Sequence, residues 1–505
     1  MNKTIPKLVE AMDDFCTLDY KLQLCRSAAK GAWTGARYIE SLKDGRQVWY
    51  DGEVIDVTRH PSFQGLLMAL AELYDKQRLE NNSADMLTEL DDGSLQVSAS
   101  YIVPSTREEL DKKWRNSHKW MQLSYGQLPR VPDFMANVVV GLYDFRHELG
   151  KVDPQFEKNA EDYYHYCREH DICLTHALGD PQIDRSASPV ENPDHALRVV
   201  KRTKEGIVVH GAKQLATLAP YCHEALIYLS PAFYMRESPE FVAWFSVPMN
   251  APGLKFLCRE SHAGTSNGFR HAFSQSYDEQ DSMLFFDHVF IPMNRVFLLE
   301  NTEVAAKGFH ELNKWSLYVG QIRFYHRLRT FLGVTSLVAK SIGVDGFREI
   351  MNRVGELTSY VELVRSCLVG IDSETRISSA GNIAPGSTLA LDSFASQIAP
   401  RINEILRDIG GSGIIMQPSA KDLANPELRP YLEKYMKGKG VDVDFKTDLF
   451  RLAFELIGDR FGARQELYEI WNRGDIVRTR MALCKSYPDL NNCEEEIKDL
   501  IKELK

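Results

Sequence analysis

No stretch of the 505-residue chain approaches the roughly 18 to 20 continuous apolar residues that a helical membrane span requires, so a membrane-embedded protein is not expected. The N-terminal segment, with Lys3, Lys7 and the acidic pair Asp13-Asp14, has no apolar core of a secretory signal. Cysteines stand at 16, 25, 167, 173, 222, 258, 367, 484 and 493 with no CxxC pair and no zinc-ribbon spacing, which points to reduced, mostly buried thiols in the cytoplasm. There is no P-loop, no HExxH and no GxGxxG after a strand. Gly410-Gly411-Ser412-Gly413-Ile414 misses GxSxG at its last position, so these glycines read as a helix end or turn and a serine hydrolase is disfavoured. His165, His170 and His176 are five and six apart, off a common helical face, and no metal site is expected. Basic side chains number 60 against 70 acidic ones, a net charge of -10, too few for a general phosphate binder and no basis for a nucleic-acid partner.

What the chain has is an ordinary globular composition, 44% hydrophobic and 26% charged, long enough for two or three packed regions. Residues up to about 150 read mainly as helix, with Leu66, Leu67, Leu70, Leu73 and Tyr74 on one face after His60-Pro61-Ser62. A hairpin interrupts them, since Asp51-Gly52 separates Gln47–Tyr50 from Glu53–Ile55. Helices follow around 106–126, 133–149 and 153–170. From 172 to 300 frequent prolines forbid long helices, and strands are expected at Ala196–Val200, Ile207–His210, Ala225–Leu229, Val242–Val247, Leu254–Cys258 and Met283–Phe290, at the spacing of a barrel or sandwich. Beyond Pro292 no proline occurs until Pro385, and Trp315, Tyr318, Ile322, Tyr325, Leu328 and Leu332 predict a long buried helix from 312 to 340. Helices near 346–372, 387–409, 421–436 and 443–472 follow, and the tail from Glu494 reads as a solvated amphipathic helix.

Two polar residues stand out. His176 sits in Leu174-Thr175-His176-Ala177-Leu178 at the entrance to the β region, and on spacing alone it reads as a core histidine or as an active-site group. Arg130, between Pro129 and Pro132 at a helix start, reads as a surface partner of Asp133 or as a recognition group. Around both, the chain resembles the oxygenase components of the 4-hydroxyphenylacetate 3-monooxygenase family from about 34 to 480. The resemblance is carried by Arg37–Arg46, His60-Pro61-Ser62-Phe63, Gly126–Phe134, His176–Arg185, Gly211–Thr217, Val289-Phe290-Ile291-Pro292, Pro418–Leu423 and Phe461–Glu469.

The resemblance implies an α+β, acyl-CoA dehydrogenase-like fold: an extension at 1–33, a mainly helical region at 34–171, a middle β-barrel region at 172–300, a helical bundle at 301–480 and a tail helix at 481–505. It implies a reduced-FAD-dependent monooxygenase that ortho-hydroxylates a 4-substituted phenol to a catechol through a C4a-hydroperoxyflavin, with O2 as co-substrate. The FAD would arrive reduced from a separate, transiently associating NAD(P)H:flavin reductase, because no nicotinamide-binding fold is recognisable. Carried over residue by residue, Arg130 and His176 become catalytic. Arg130, Phe134, His176, Leu229 and Ser230 line the substrate, and His176, Ala177, Leu178, Gln182, Ile183, Asp184, Arg185, Thr217, Phe461, Gly462, Ala463, Arg464 and Gln465 contact FAD. The unperturbed pKa of histidine, about 6.5, suits His176 as a base near neutrality.

The family also implies a homotetramer. Phe134 stands where the 4-hydroxyphenylacetate hydroxylases usually have Tyr, and Ile470-Trp471-Asn472-Arg473 replaces an Asn-Tyr-Ser-Gly run. There are two alternatives. The related 4-hydroxybutyryl-CoA dehydratases need iron–sulfur cysteines, and none lies in Tyr125–Asp133. A non-catalytic flavin scaffold is the other.

Overall fold

The computed structural model describes residues 30–90, 93, 95–184, 186–187, 191–228, 238–263 and 271–504. It divides into two compact units, one of residues up to 327 together with 375–385, the other of 328–374 and 386–505.

The first unit mixes helices and sheets. Pro61–Lys76 buries Phe63, Leu66, Leu67, Leu70, Leu73 and Tyr74, the stripe expected from their spacing, with His60 as N-cap and Pro61 at the first position. Arg107–Leu123 opens with a reciprocal capping box between Thr106 and Glu109. Pro132–Asp144 is buried on almost every side, as its Val138-Val139-Val140 run requires. Gly141 lets it approach its neighbour, because a Cβ there would stand 2.1 Å from the Leu312 carbonyl oxygen on the helix Thr302–Ser341.

Among the described residues no closed barrel forms, which corrects the barrel expectation. A six-stranded sheet runs in the order Glu53–Ile55, Val48–Tyr50, Leu254–Cys258, Asp281–Pro292, Gly206–Thr217, Arg198–Arg202. A four-stranded sheet runs Val296–Leu299, Ala243–Pro248, Glu224–Ile227, Leu174–His176. The two face each other through Phe245 and Phe286, whose rings meet edge to face at 6.2 Å. Strand spacing cannot separate a barrel from two packed sheets, and here the N-terminal hairpin adds itself to the larger sheet by parallel pairing of Val48 with Phe256. The hairpin turn itself is as expected: Asp51 and Gly52 both have positive φ, 51° and 83°.

The second unit is helical. Leu389–Gly410 buries Leu391, Ala395, Ile398, Ile402, Ile405, Leu406 and Ile409 along one stripe. The helix expected across 443–472 is two, Val443–Ile457 and Arg460–Trp471, separated at Gly458 and restarted by the Asp459 side chain, which accepts from Gly462 N. The segment 421–436 is likewise two short helices, Ala420–Leu423 and Arg429–Tyr435.

Candidate active site

Arg130 lies at the end of a tight turn. Tyr125 and Gly126 both adopt positive φ, 55° and 65°, and a Cβ at Gly126 would come within 2.3 Å of Arg327 N. The turn is thereby pressed against the long helix, where Arg323 donates to the Gly126 carbonyl and Arg327 to Gln127 Oε1. On its other side the Arg130 backbone N–H donates to Oε1 of buried Glu279 at 2.5 Å. Asp133 turns into a buried network, accepting from Asn116 Nδ2 at 2.9 Å and from Asn137 Nδ2, so it is no surface cap partner of Arg130. Lys113 completes that network through the Ser100 and Ile102 carbonyls, and burial pushes its ammonium down to about 7.

The arginine head then meets an aromatic ring. Its guanidinium carbon lies 4.3 Å from the centroid of Phe134, a cation–π stack. Phe134 meets His176 edge to face, centroids 5.9 Å apart. His176 arrives on Leu174–His176, the edge strand of the smaller sheet, which pairs in parallel with Glu224–Ile227 so that His176 opposes Leu226. Its Nδ1 lies 3.0 Å from the Tyr228 hydroxyl. Burial, and then the charge of Arg130, hold the imidazole well below the ordinary histidine range. His176 is therefore neutral at physiological pH, unlike the group titrating near neutrality that its type alone predicts.

Two of the first-unit flavin candidates, Thr217 and Leu178, are held by hydrogen bonds from or to their neighbours. Thr175 Oγ1 donates to the Thr217 carbonyl at 2.6 Å, and Thr217 Oγ1 donates to Asp281 Oδ1 at 2.8 Å. Ala177 is buried, and Lys213 donates to the Leu178 carbonyl and to Asp180 Oδ1. Gln182 and Asp184 are exposed, as is Ile183. Arg185, Leu229 and Ser230 lie outside the described residues.

Phe461, Gly462, Ala463, Arg464 and Gln465 form the first turns of Arg460–Trp471 in the second unit, with Phe461, Gly462 and Gln465 buried. A Cβ at Gly462 would meet the Leu456 backbone at 2.6 Å, so only glycine fits there.

Glu279 and Tyr228 touch this site, Asn313 reaches it only through Tyr228, and none of the three carries a sequence signal of it. One His/Asp group near enough to share an ion also emerges among the described residues, His210, Asp287 and His288 on the larger sheet, with ligand atoms up to 4.8 Å apart. Ligands of a tetrahedral zinc ion stand roughly 3.3 Å apart, and here His288 Nδ1 and Asp287 Oδ1 pair with each other at 3.0 Å.

The 4-hydroxyphenylacetate 3-hydroxylase N-terminal family matches residues 34–298 and its C-terminal family residues 307–502. A 4-hydroxyphenylacetate 3-monooxygenase oxygenase component from Thermus thermophilus is 34% identical over 94% of this chain and 98% of its own length. A 4-nitrophenol 2-monooxygenase oxygenase component from Rhodococcus is 30% identical over 90% and 88%. The crystal structure of an oxygenase component of 4-hydroxyphenylacetate 3-monooxygenase complexed with FAD and 4-hydroxyphenylacetate superposes with a TM-score of 0.89, at 34% identity, over 94% of this chain and 99% of that one. The chain belongs to the 4-hydroxyphenylacetate 3-hydroxylase family.

Proposed function

We propose that this protein is the oxygenase component of a two-component monooxygenase that uses reduced FAD and O2 to convert a 4-substituted phenol to the ortho-catechol. The observation that carries the site is the Arg130–Phe134–His176 cluster, which sets one fixed cation and one neutral, buried imidazole around an aromatic wall.

The residues present fit a flavin. Gln280 is fully buried between Glu279, which holds Arg130, and Asp281, which holds Thr217; its side-chain amide has no hydrogen-bond partner among the described residues at either polar atom. An amide offering a donor and an acceptor matches the alternating donors and acceptors of an isoalloxazine edge. His176–Leu178, Gln182–Arg185 and Thr217 are assigned to FAD, with Phe461–Gln465 assigned on the resemblance alone. Bound reduced FAD supplies, with O2, the oxygen atom transferred to the ring.

This chain's own groups prepare the phenol. A phenolate is the better nucleophile at its ortho carbon, so Arg130 accelerates attack by stabilising the anionic oxygen. His176, neutral in the resting protein, accepts the phenolic proton at a ring nitrogen. The buried rings of Phe134 and Tyr228 exclude water and confine the substrate. Phe134 brings no hydroxyl to the phenol and instead gives Arg130 an aromatic face.

The fold is read as acyl-CoA dehydrogenase-like with the three-region division of the sequence, the assembly as a homotetramer, and the compartment as the cytoplasm. All seven described cysteines are free thiols, in keeping with a reducing compartment. Electrons come from a separate flavin reductase. The test is a panel of 4-hydroxyphenylacetate, 4-nitrophenol and tyrosine with FAD under a flavin-reducing system. Catechol formation is expected, and peroxide release without any hydroxylated product would overturn the proposal.

A further inference from the structure

The environment of His176 decides which of its two nitrogens is basic, through a chain of groups that ends outside the substrate site. Asn313, on the long helix, donates from Nδ2 to the Phe309 carbonyl at 2.7 Å. That bond fixes the amide orientation and leaves Oδ1 facing the Tyr228 hydroxyl at 3.2 Å. An amide oxygen only accepts, so the hydroxyl spends its single hydrogen on Asn313. Its oxygen can then only accept from His176 Nδ1, 3.0 Å away, and that nitrogen must carry the ring proton. Tyr228 and Asn313 are 1% and 6% exposed, so water does not compete for these bonds. Packing keeps the phenol ring in place, with Trp244 and Phe309 against it at 6.2 and 5.9 Å between centroids.

We propose that Tyr228 and Asn313 are positioning residues that lock His176 as the Nδ1–H tautomer and so make Nε2 the atom that accepts the phenolic proton. The proposal rests on the reading of His176 as the proton acceptor. It makes an unusual prediction about the order of effects. In Asn313→Leu the Tyr228 hydroxyl loses its acceptor and turns its hydrogen on His176 Nδ1, which forces the wrong tautomer and removes the base. In Tyr228→Phe neither tautomer is enforced and part of the population stays competent. The remote substitution should therefore cost more than the adjacent one, and removing the misdirected hydroxyl should undo part of the damage.

Single-turnover hydroxylation is measured with reduced FAD and the panel phenol that the wild type converts fastest. A fall of about 10²-fold is expected in Asn313→Leu and about 5- to 10-fold in Tyr228→Phe. The double variant should recover to the Tyr228→Phe rate, whereas a merely structural role makes it at least as slow as either single. Nitrogen-15 NMR of histidine-labelled protein without substrate, assigned by subtraction of His176→Gln, reads the tautomer even if Asn313→Leu fails to fold. It should show Nδ1–H alone in the wild type and a mixture in Tyr228→Phe. An Nε2–H signal in the wild type, or an unrescued double variant, overturns the lock. Slow hydroxylation by His176→Ala beside wild-type rates in Asn313→Leu overturns the lock alone. Wild-type rates in His176→Ala overturn the role of His176 and the lock together.

Discussion

At the scale of single residues, burial decides which groups of the site carry charge. Arg130 keeps its guanidinium on the Phe134 face, while the same buried surroundings hold His176 neutral. Arg130→Ala should slow hydroxylation by about 10²-fold, the scale of one lost preorganised charge contact, and divert oxygen to released hydrogen peroxide. Stopped-flow kinetics with peroxide quantitation checks this, and a fully coupled wild-type rate would contradict it.

His223 offers a second residue-level test, on stability. It accepts from Cys173 N at Nδ1 and meets Ser41 Oγ at 2.7 Å through Nε2, and burial together with the charge of Arg46 pushes it down to about 3. The unfolded chain takes up this proton near pH 6.5 and the folded protein only near 3, so His223 stabilises the fold fully above about pH 6.5 and loses that contribution as pH falls toward 3. Asp171, pushed up to about 6 by burial, acts in the opposite sense but is common to wild type and variant. The melting-temperature advantage of wild type over His223→Gln should thus be smaller at pH 5 than at pH 7.5; an advantage independent of pH would contradict the assignment.

At the scale of elements, the site depends on how closely Pro132–Asp144 approaches Thr302–Ser341. Gly141→Ala drives a Cβ into the Leu312 backbone, next to Asn313, and should destabilise the protein by about 1–3 kcal/mol, the usual cost of overpacking a rigid contact. Chemical denaturation checks it, with an unchanged midpoint as the contrary result. Elements like these were only partly legible in the sequence. The Asp51-Gly52 turn is readable because its chemistry is local, and the long helix because Trp315, Tyr318, Ile322, Tyr325 and Leu328 repeat at three and four, all but half-buried Tyr325 being buried. The strand bearing His176 is three residues long, too short to alternate, and its parallel pairing with Glu224–Ile227 leaves no local trace. Arg130 and Glu279 are 149 positions apart, and Tyr228 and Asn313 are 85. Only resemblance to a family marked Arg130, Phe134 and His176, and nothing in the sequence marked Glu279, Tyr228 or Asn313.

At the scale of the whole molecule, the second unit leaves large apolar side chains exposed. Met351, Leu363 and Val369 on Arg348–Ser373 are at least half exposed, as are Ile497, Leu500 and Ile501 along one face of Leu490–Glu503. Light scattering at micromolar concentration should give the mass of four chains, and a fully active monomer would contradict the tetramer.

The central claim, that this chain transfers one atom of O2 to a phenol using reduced FAD it does not itself reduce, is tested most directly by one single-turnover experiment. The isolated protein is mixed anaerobically with reduced FAD and a panel phenol, then exposed to 18O2 with no reductase or NADH present. The account predicts a catechol carrying one 18O atom, in near-stoichiometric yield with FAD. Flavin oxidation that yields only labelled hydrogen peroxide, for every phenol of the panel, would contradict it.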